Sequence, residues 1–204
     1  MEAFTTLTAV AAPYPGANVD TDKIIPHRFL RKPLSDGYRN FLFHDERLDG
    51  SGAEQPDFVL HKPAYRSAGI LVVGRNFGCG SAREGAVYAL RDWGIRALIG
   101  PGYADTFRVN CLQNGVLPVV LDDAVVASIL EAVEASPGAA LAIDLPGQRV
   151  RLPDGTTCTF DIEAGRKEQL LLGLDDIGLT QRRAEAIEGY KLRYYGRLTW
   201  LAGG

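Results

Sequence analysis

What the chain lacks narrows it first. No apolar run approaches the length needed to span a bilayer. Met1-Glu2-Ala3-Phe4-Thr5 shows no basic region followed by an apolar core, so it does not read as a secretory leader. The formal net charge is -3, from 22 Lys+Arg against 25 Asp+Glu, and no basic face is evident. Nucleic acid and membrane are therefore not expected partners, and a cytoplasmic location is the default. Disulfide chemistry is also thin. The 3 cysteines, Cys79, Cys111 and Cys158, are widely spaced and contain no C-x-x-C pair. That argues against a disulfide framework and against a metal or iron–sulfur site built from this chain alone. Cys111 and Cys158 sit in apolar patterns and read as small core residues. Cys79 lies in a glycine-rich turn, where a small side chain fits. The 3 histidines, His27, His44 and His61, follow no metal-binding spacing and read as surface or hydrogen-bonded residues. Internal repeats and low-complexity tracts are missing as well.

What is present is an α/β pattern in 204 residues, enough for one large domain. Thr5–Ala12 alternates as a first strand, and Pro13, Pro15 and Gly16 are expected to break it. The turn Asp20-Thr21-Asp22 then precedes Ile24-Ile25-Pro26, and residue types alone make it an Asx turn or helix cap. Residues 27–62 are irregular, with basic residues interleaved with aromatics. A loop-rich stretch of that length lines a site or meets a partner. Strand and helix then alternate over roughly 69–135, which implies a parallel sheet with helices packed on it. Short alternating segments at 141–144, 148–152 and 156–161 are separated by Pro146-Gly147 and Pro153-Asp154-Gly155, which are hairpin signals. Helices are expected at 165–174 and from Thr180, as a cap, to about Tyr194.

One stretch concentrates the chemistry. Gly69–Val73 reads as a buried strand, Gly74–Gly85 as a glycine-rich turn, and the residues from Ala86 as a helix. Such a turn gathers backbone N–H groups at a helix N-terminus and holds anions. Three familiar loops fail on spacing. In a dinucleotide fingerprint, Arg83 would occupy the third glycine's place. A phosphate loop would need Lys and Ser/Thr where Ala86 and Val87 stand. A nucleophile elbow would need a residue between Gly80 and Ser81. A compact cradle with Ser81 and Arg83 inserted is left. Arg83 offers a planar fork that matches a carboxylate. Ser81, pointed into several N–H groups, would have a stabilised alkoxide able to take a proton from carbon. With equal weight, Ser81 caps the helix and Arg83 is a surface residue.

Asn76-Phe77-Gly78-Cys79-Gly80-Ser81-Ala82-Arg83-Glu84 resembles the signature of the small-subunit family of 3-isopropylmalate dehydratases, relatives of aconitase. The resemblance extends along nearly the whole chain. It takes in Asp20-Thr21-Asp22 with Ile24-Ile25-Pro26, Gln55-Pro56-Asp57-Phe58-Val59-Leu60, Asn114-Gly115-Val116-Leu117-Pro118, and Gly173-Leu174-Asp175-Asp176-Ile177-Gly178-Leu179-Thr180.

The resemblance implies a three-layer β/β/α swivelling domain over 1–204, with a substrate-recognition region around 18–62. It implies a hydro-lyase of leucine biosynthesis, active only with a separate large subunit in a heterodimer or heterotetramer. The large subunit would carry a [4Fe–4S] cluster, with none bound by this chain. Ser81 would be the carbon-acid base and Arg83 the carboxylate clamp. Gly80, Ala82, Asp20 and Thr21 would line the site, and Phe29, Leu30 and Arg31 would meet the substituent of a small dicarboxylate. Two positions depart from the family pattern, which has a second serine at Ala82 and a histidine at Gly85. They keep open a paralogue acting on citraconate, dimethylmaleate or homoaconitate, and a non-catalytic binding subunit.

Overall fold

The first strand, β1 (Thr6–Tyr14), lies in the interior of the sheet and joins its two halves. The computed structural model describes residues 1–198 and Trp200. Six more strands follow: β2 (Ile70–Val73), β3 (Ala97–Gly100), β4 (Leu117–Val120), β5 (Ala140–Asp144), β6 (Arg149–Arg151) and β7 (Thr157–Thr159). They form one sheet in the order β4-β3-β2-β1-β5-β6-β7. On one side of β1 all pairings are parallel, and on the other all are antiparallel. This α/β division follows the switch from βα units to hairpins along the chain.

Pro13 does not break β1, contrary to expectation. The strand uses its two edges in succession: Thr6–Val10 pairs with β5 and Ala11–Tyr14 with β2. The Ala11 N–H points to the β5 side, donating to the Ala139 carbonyl at 3.1 Å. Two residues on, Pro13 faces the same way, beyond the last β5 pairing, where its missing N–H leaves nothing unsatisfied. Pro118 is accommodated in β4 because that strand has a neighbour on one side only.

Ile70–Val73 and Ala97–Ile99 are wholly buried, as parallel strands covered on both faces should be. Helix α1 (Thr21–Ile24) and helix α2 (His44–Arg47) are single turns, joined by short 3-10 turns. Longer helices follow the parallel strands: α3 (Glu84–Trp93), α4 (Asp105–Gln113) and α5 (Asp123–Ala135). The buried Val126, Ile129 and Val133 of α5 fall on one face, which packs over β1, β2 and β3.

The chain closes with α6 (Ala164–Leu172), α7 (Asp176–Gln181) and α8 (Ala184–Arg197). Here the expected single helix from Thr180 is divided. Thr180 lies inside α7, its hydroxyl donating to the Asp176 carbonyl at 2.9 Å. The cap is Asp175, which accepts from the Gly178 N–H at 2.7 Å. Asp176 accepts from Gln113, Arg166 and the buried Gln169. The Gly173–Thr180 motif thus locks the C-terminal helices to α4, and its two acids are structural.

Candidate active site

Three loops leave the carboxyl ends of β1, β2 and β3 and pair with one another. Asp20 bridges to Cys79 and Phe77 to Tyr103, both in parallel register. Carboxyl ends of parallel strands are where open α/β sheets place their sites. Asn18 and Asn76 both take left-handed backbone, with φ of 55° and 58°, and their side-chain amides meet at 2.9 Å.

The glycine loop is shaped by its supports. Gly78 has φ +75°, and a Cβ there would lie inside the Phe107 ring. The Gly78 and Cys79 N–H groups donate to the Val19 carbonyl at 2.8 and 3.2 Å, and the Phe77 N–H donates to Gly102 at 3.3 Å. The next amides, of Gly80, Ser81, Ala82 and Arg83, make no hydrogen bond among the described residues. The N–H groups left open to an anion are therefore these four, a shorter stretch than the glycine spacing alone defines.

Ser81 and Ala82 are exposed. Ser81 does not cap α3: the N-cap is Arg83, which makes no side-chain cap bond. Among the described residues the Ser81 hydroxyl has no partner. Thr21 fixes the loop from below. It is buried, its N–H donates to the Cys79 carbonyl at 2.9 Å, and its hydroxyl donates to the Ser81 carbonyl at 2.9 Å. Asp20 flanks Gly80 and caps α1, accepting from the Lys23 N–H at 2.8 Å. So residue types alone read this turn correctly as a cap, and its contact with the glycine loop adds a second use.

Sequence reading passed over Asp22 as a partner. Its carboxylate pairs with Arg83, whose side chain is only 12% exposed, and also accepts from the His27 N–H at 3.1 Å. The hydrogen bond from Arg83, followed by its charge, holds the Asp22 carboxyl below the usual carboxylate range. One guanidinium nitrogen is engaged, and the fork is fixed in direction. Glu84, the first residue of α3, accepts from the Asn114 side chain at 2.9 Å. The Asn114-Gly115 motif thereby anchors the helix that carries Arg83.

On the other side of Asp22, Lys23 pairs with Glu46 at 2.9 Å, and Glu46 accepts from the Tyr14 hydroxyl at 2.5 Å. Burial, then this bond to a carboxylate, drives the Tyr14 hydroxyl far above its ordinary range. The one-turn α1 is thus tied both to the glycine loop and to the end of β1.

The stretch from Arg28 to His44 forms a small aromatic layer. Phe29 stacks on Phe41 at 4.4 Å, and the Arg28 guanidinium carbon lies 4.6 Å from the Phe29 ring centroid. Leu30 is half-buried and leans on Gly85. Arg31 is exposed and makes no ion pair among the described residues. His27 and His44 border this layer, whereas His61 is buried with one ring nitrogen 2.8 Å from the Gln55 carbonyl. Among the described residues, no three His, Cys, Asp or Glu are grouped to hold a metal ion, and the 3 cysteines are free. The donor set of this chain does not fit an iron–sulfur cluster.

A mixed sheet whose parallel half carries, at its carboxyl edge, four unbonded amides, an arginine paired with Asp22 and a serine unpartnered among the described residues is an α/β architecture. Comparison with known proteins narrows the class. Residues 1–124 match the Aconitase C-terminal domain family, and residues 127–164 match LeuD_N. The chain is 48% identical over 203 residues to the 3-isopropylmalate dehydratase small subunit of Rhodospirillum centenum, covering 100% of both. It is 50% identical over 194 residues to that of Methylorubrum populi, covering 95% of this chain and 96% of the relative. The crystal structure of 3-isopropylmalate dehydratase (leuD) from Methanocaldococcus jannaschii superposes with a TM-score of 0.64 at 25% identity, over 91% of this chain and 99% of that one. The chain belongs to the family of 3-isopropylmalate dehydratase small subunits, within the aconitase C-terminal domains.

Proposed function

We propose that this chain is the small subunit of a hydro-lyase that isomerises 2-isopropylmalate to 3-isopropylmalate in leucine biosynthesis, working in the cytoplasm. The observation that carries the reading is the unpartnered Ser81 hydroxyl among four free amides, next to an arginine already oriented by Asp22. The substrate is a dicarboxylate. Arg83 and the Gly80–Arg83 amides supply directed donors for one carboxylate. The same amides lower the cost of charge on Ser81, which as alkoxide takes the proton from the carbon next to the carbinol. The electron pair of that C–H bond forms the alkene as hydroxide departs from the neighbouring carbon. Rehydration with the opposite orientation returns the proton to the other carbon and completes the isomerisation.

Lewis acidity toward the departing hydroxyl would be supplied by a [4Fe–4S] cluster on a large-subunit partner, in a heterodimer or heterotetramer. Asp20 and Thr21 shape the wall beneath the loop, and the Phe29–Arg31 segment faces the variable substituent.

The test is co-expression with the large subunit, anaerobic cluster reconstitution, and absorbance of the alkene formed from 2-isopropylmalate. Ser81→Ala should lower kcat by about 10³-fold while the complex still assembles, the scale of a lost general base. Undiminished turnover in that variant would remove Ser81 from the role.

A further inference from the structure

Gly85 lies two residues beyond Arg83, in the first turn of α3, and is wholly enclosed. Its φ is not positive, so the backbone there does not require glycine. Helices disfavour glycine against alanine, because it loses more conformational freedom on folding. Space accounts for it. A Cβ at this position would meet Leu30 Cδ2 at 3.1 Å and Tyr38 Cε1 at 3.2 Å, tighter than ordinary van der Waals contact. The segment 27–41 approaches the helix here so closely that a side chain at position 85 would need its neighbours to give by a few tenths of an ångström.

That approach is held along one face of α3, at Gly85, Tyr88 and Asp92, positions separated by three and four residues. Tyr38 packs edge-on against Tyr88, with centroids 5.7 Å apart. The Tyr38 N–H donates to the Asp92 carboxylate at 3.2 Å, and its hydroxyl donates to the Lys32 carbonyl at 3.0 Å, which folds the segment back on itself. Tyr38 and Ile25 share the space over Gly85 with Leu30. A Cβ at position 85 would need Leu30 or Tyr38 to give, and Tyr38 is the one tethered by Tyr88, Asp92 and the Lys32 carbonyl.

We propose that Gly85 is a specificity-determining residue. By letting Leu30 seat on α3 it sets the clearance between the 27–41 segment and the Ser81–Arg83 loop, and so the bulk of alkyl group that a substituted malate can carry. This inference rests on the reading of the site as one for an alkylmalate, and deepens it. Gly85 touches no reacting atom and acts through Leu30.

The experiment has two arms, using Gly85→Ala, Leu30→Ala and the double variant. In the first, the full chain is unfolded thermally. Helix propensity alone would raise Tm in Gly85→Ala. Crowding against Leu30 should instead lower it by about 2–4 °C, and should disappear when Leu30 is already alanine. A rise in Tm in both backgrounds would overturn the seating. In the second arm, reconstituted holoenzymes are compared on 2-methyl-, 2-ethyl- and 2-isopropylmalate. Gly85→Ala should raise KM for the isopropyl acid about tenfold more than for the methyl acid, with kcat little changed. The double variant should restore the isopropyl acid. An equal change on all three acids would overturn the specificity role. If the unsubstituted holoenzyme turns over none of them, the functional reading fails and this role with it, while the Tm sign still decides the seating.

Discussion

Arg83 is half of a pair before any substrate arrives. Asp22 holds one guanidinium nitrogen, and the remaining donors make no hydrogen bond among the described residues. Arg83→Lys would keep the charge and lose the fork, so KM should rise about 10–100-fold, the scale of one or two charged hydrogen bonds. Asp22→Asn should raise KM about tenfold through misdirection of the arginine, at little cost to folding, because Asp22 is half exposed. Both are read from initial rates of the reconstituted complex. Asp22 ionises below its ordinary 3.8, so the pair is intact at neutral pH and is lost only as pH falls below that value. Substrate binding between pH 5 and 8 should therefore show no titration from Asp22. Asp45 offers a cleaner measurement. Arg28 first and His44 second lower its carboxyl to about 2. A folded-state value below the unfolded one contributes stability above pH 3.8, lost as pH falls toward about 2. Urea unfolding across that window should be less pH-dependent in Asp45→Asn, by a small amount given its exposure.

At the scale of elements, the glycine loop is a folded unit with its own packing partner. Gly78→Ala would force a Cβ into the Phe107 ring on backbone already left-handed. It should destabilise the chain by about 2–4 kcal/mol in denaturant unfolding, the sum of overpacking and a strained φ. Elements like this mark where the sequence could be read and where it could not. Ile70–Val73 with the glycines after it announced strand, turn and helix, because hydrophobic periodicity and φ requirements are local. The hairpins after Ala140 were legible for the same reason. The free amides of Gly80–Arg83 were not, because which N–H groups remain unpaired depends on Val19 and Gly102 carbonyls delivered by other strands. Asp22 escaped notice as Arg83's partner because 61 residues separate them. Thr180 was misassigned because its hydroxyl can bond back inside a helix as well as cap one. Pro13 was misread because its tolerance depends on where β5 ends, a fact written more than a hundred residues away.

For the whole molecule, the proposed site is open to solvent: Ser81 and Ala82 lie exposed at the rim of the sheet, where the proposed partner subunit would close over them. The isolated chain should fold cooperatively yet show no measurable hydro-lyase turnover. Activity should appear on titration with large subunit and saturate at a fixed subunit ratio, measured by alkene absorbance and sedimentation together. Turnover by this chain alone would contradict the division of labour proposed above. No described helix is long and apolar enough to cross a membrane.

The placement of β1 has a consequence for how the chain is made. Its first half can pair only with residues 140–144 and its second half only with residues 70–73. On a translating ribosome, β1 emerges before its later partner, which follows more than 120 residues behind. At about 5–20 residues per second, that is a wait on the order of ten seconds with one strand edge unpaired. The interval is long enough for a second nascent chain to compete for the same edge. A newly made small subunit is thus most vulnerable to mispairing early in its synthesis, and cells that overproduce it should need chaperone capacity in proportion to initiation rate.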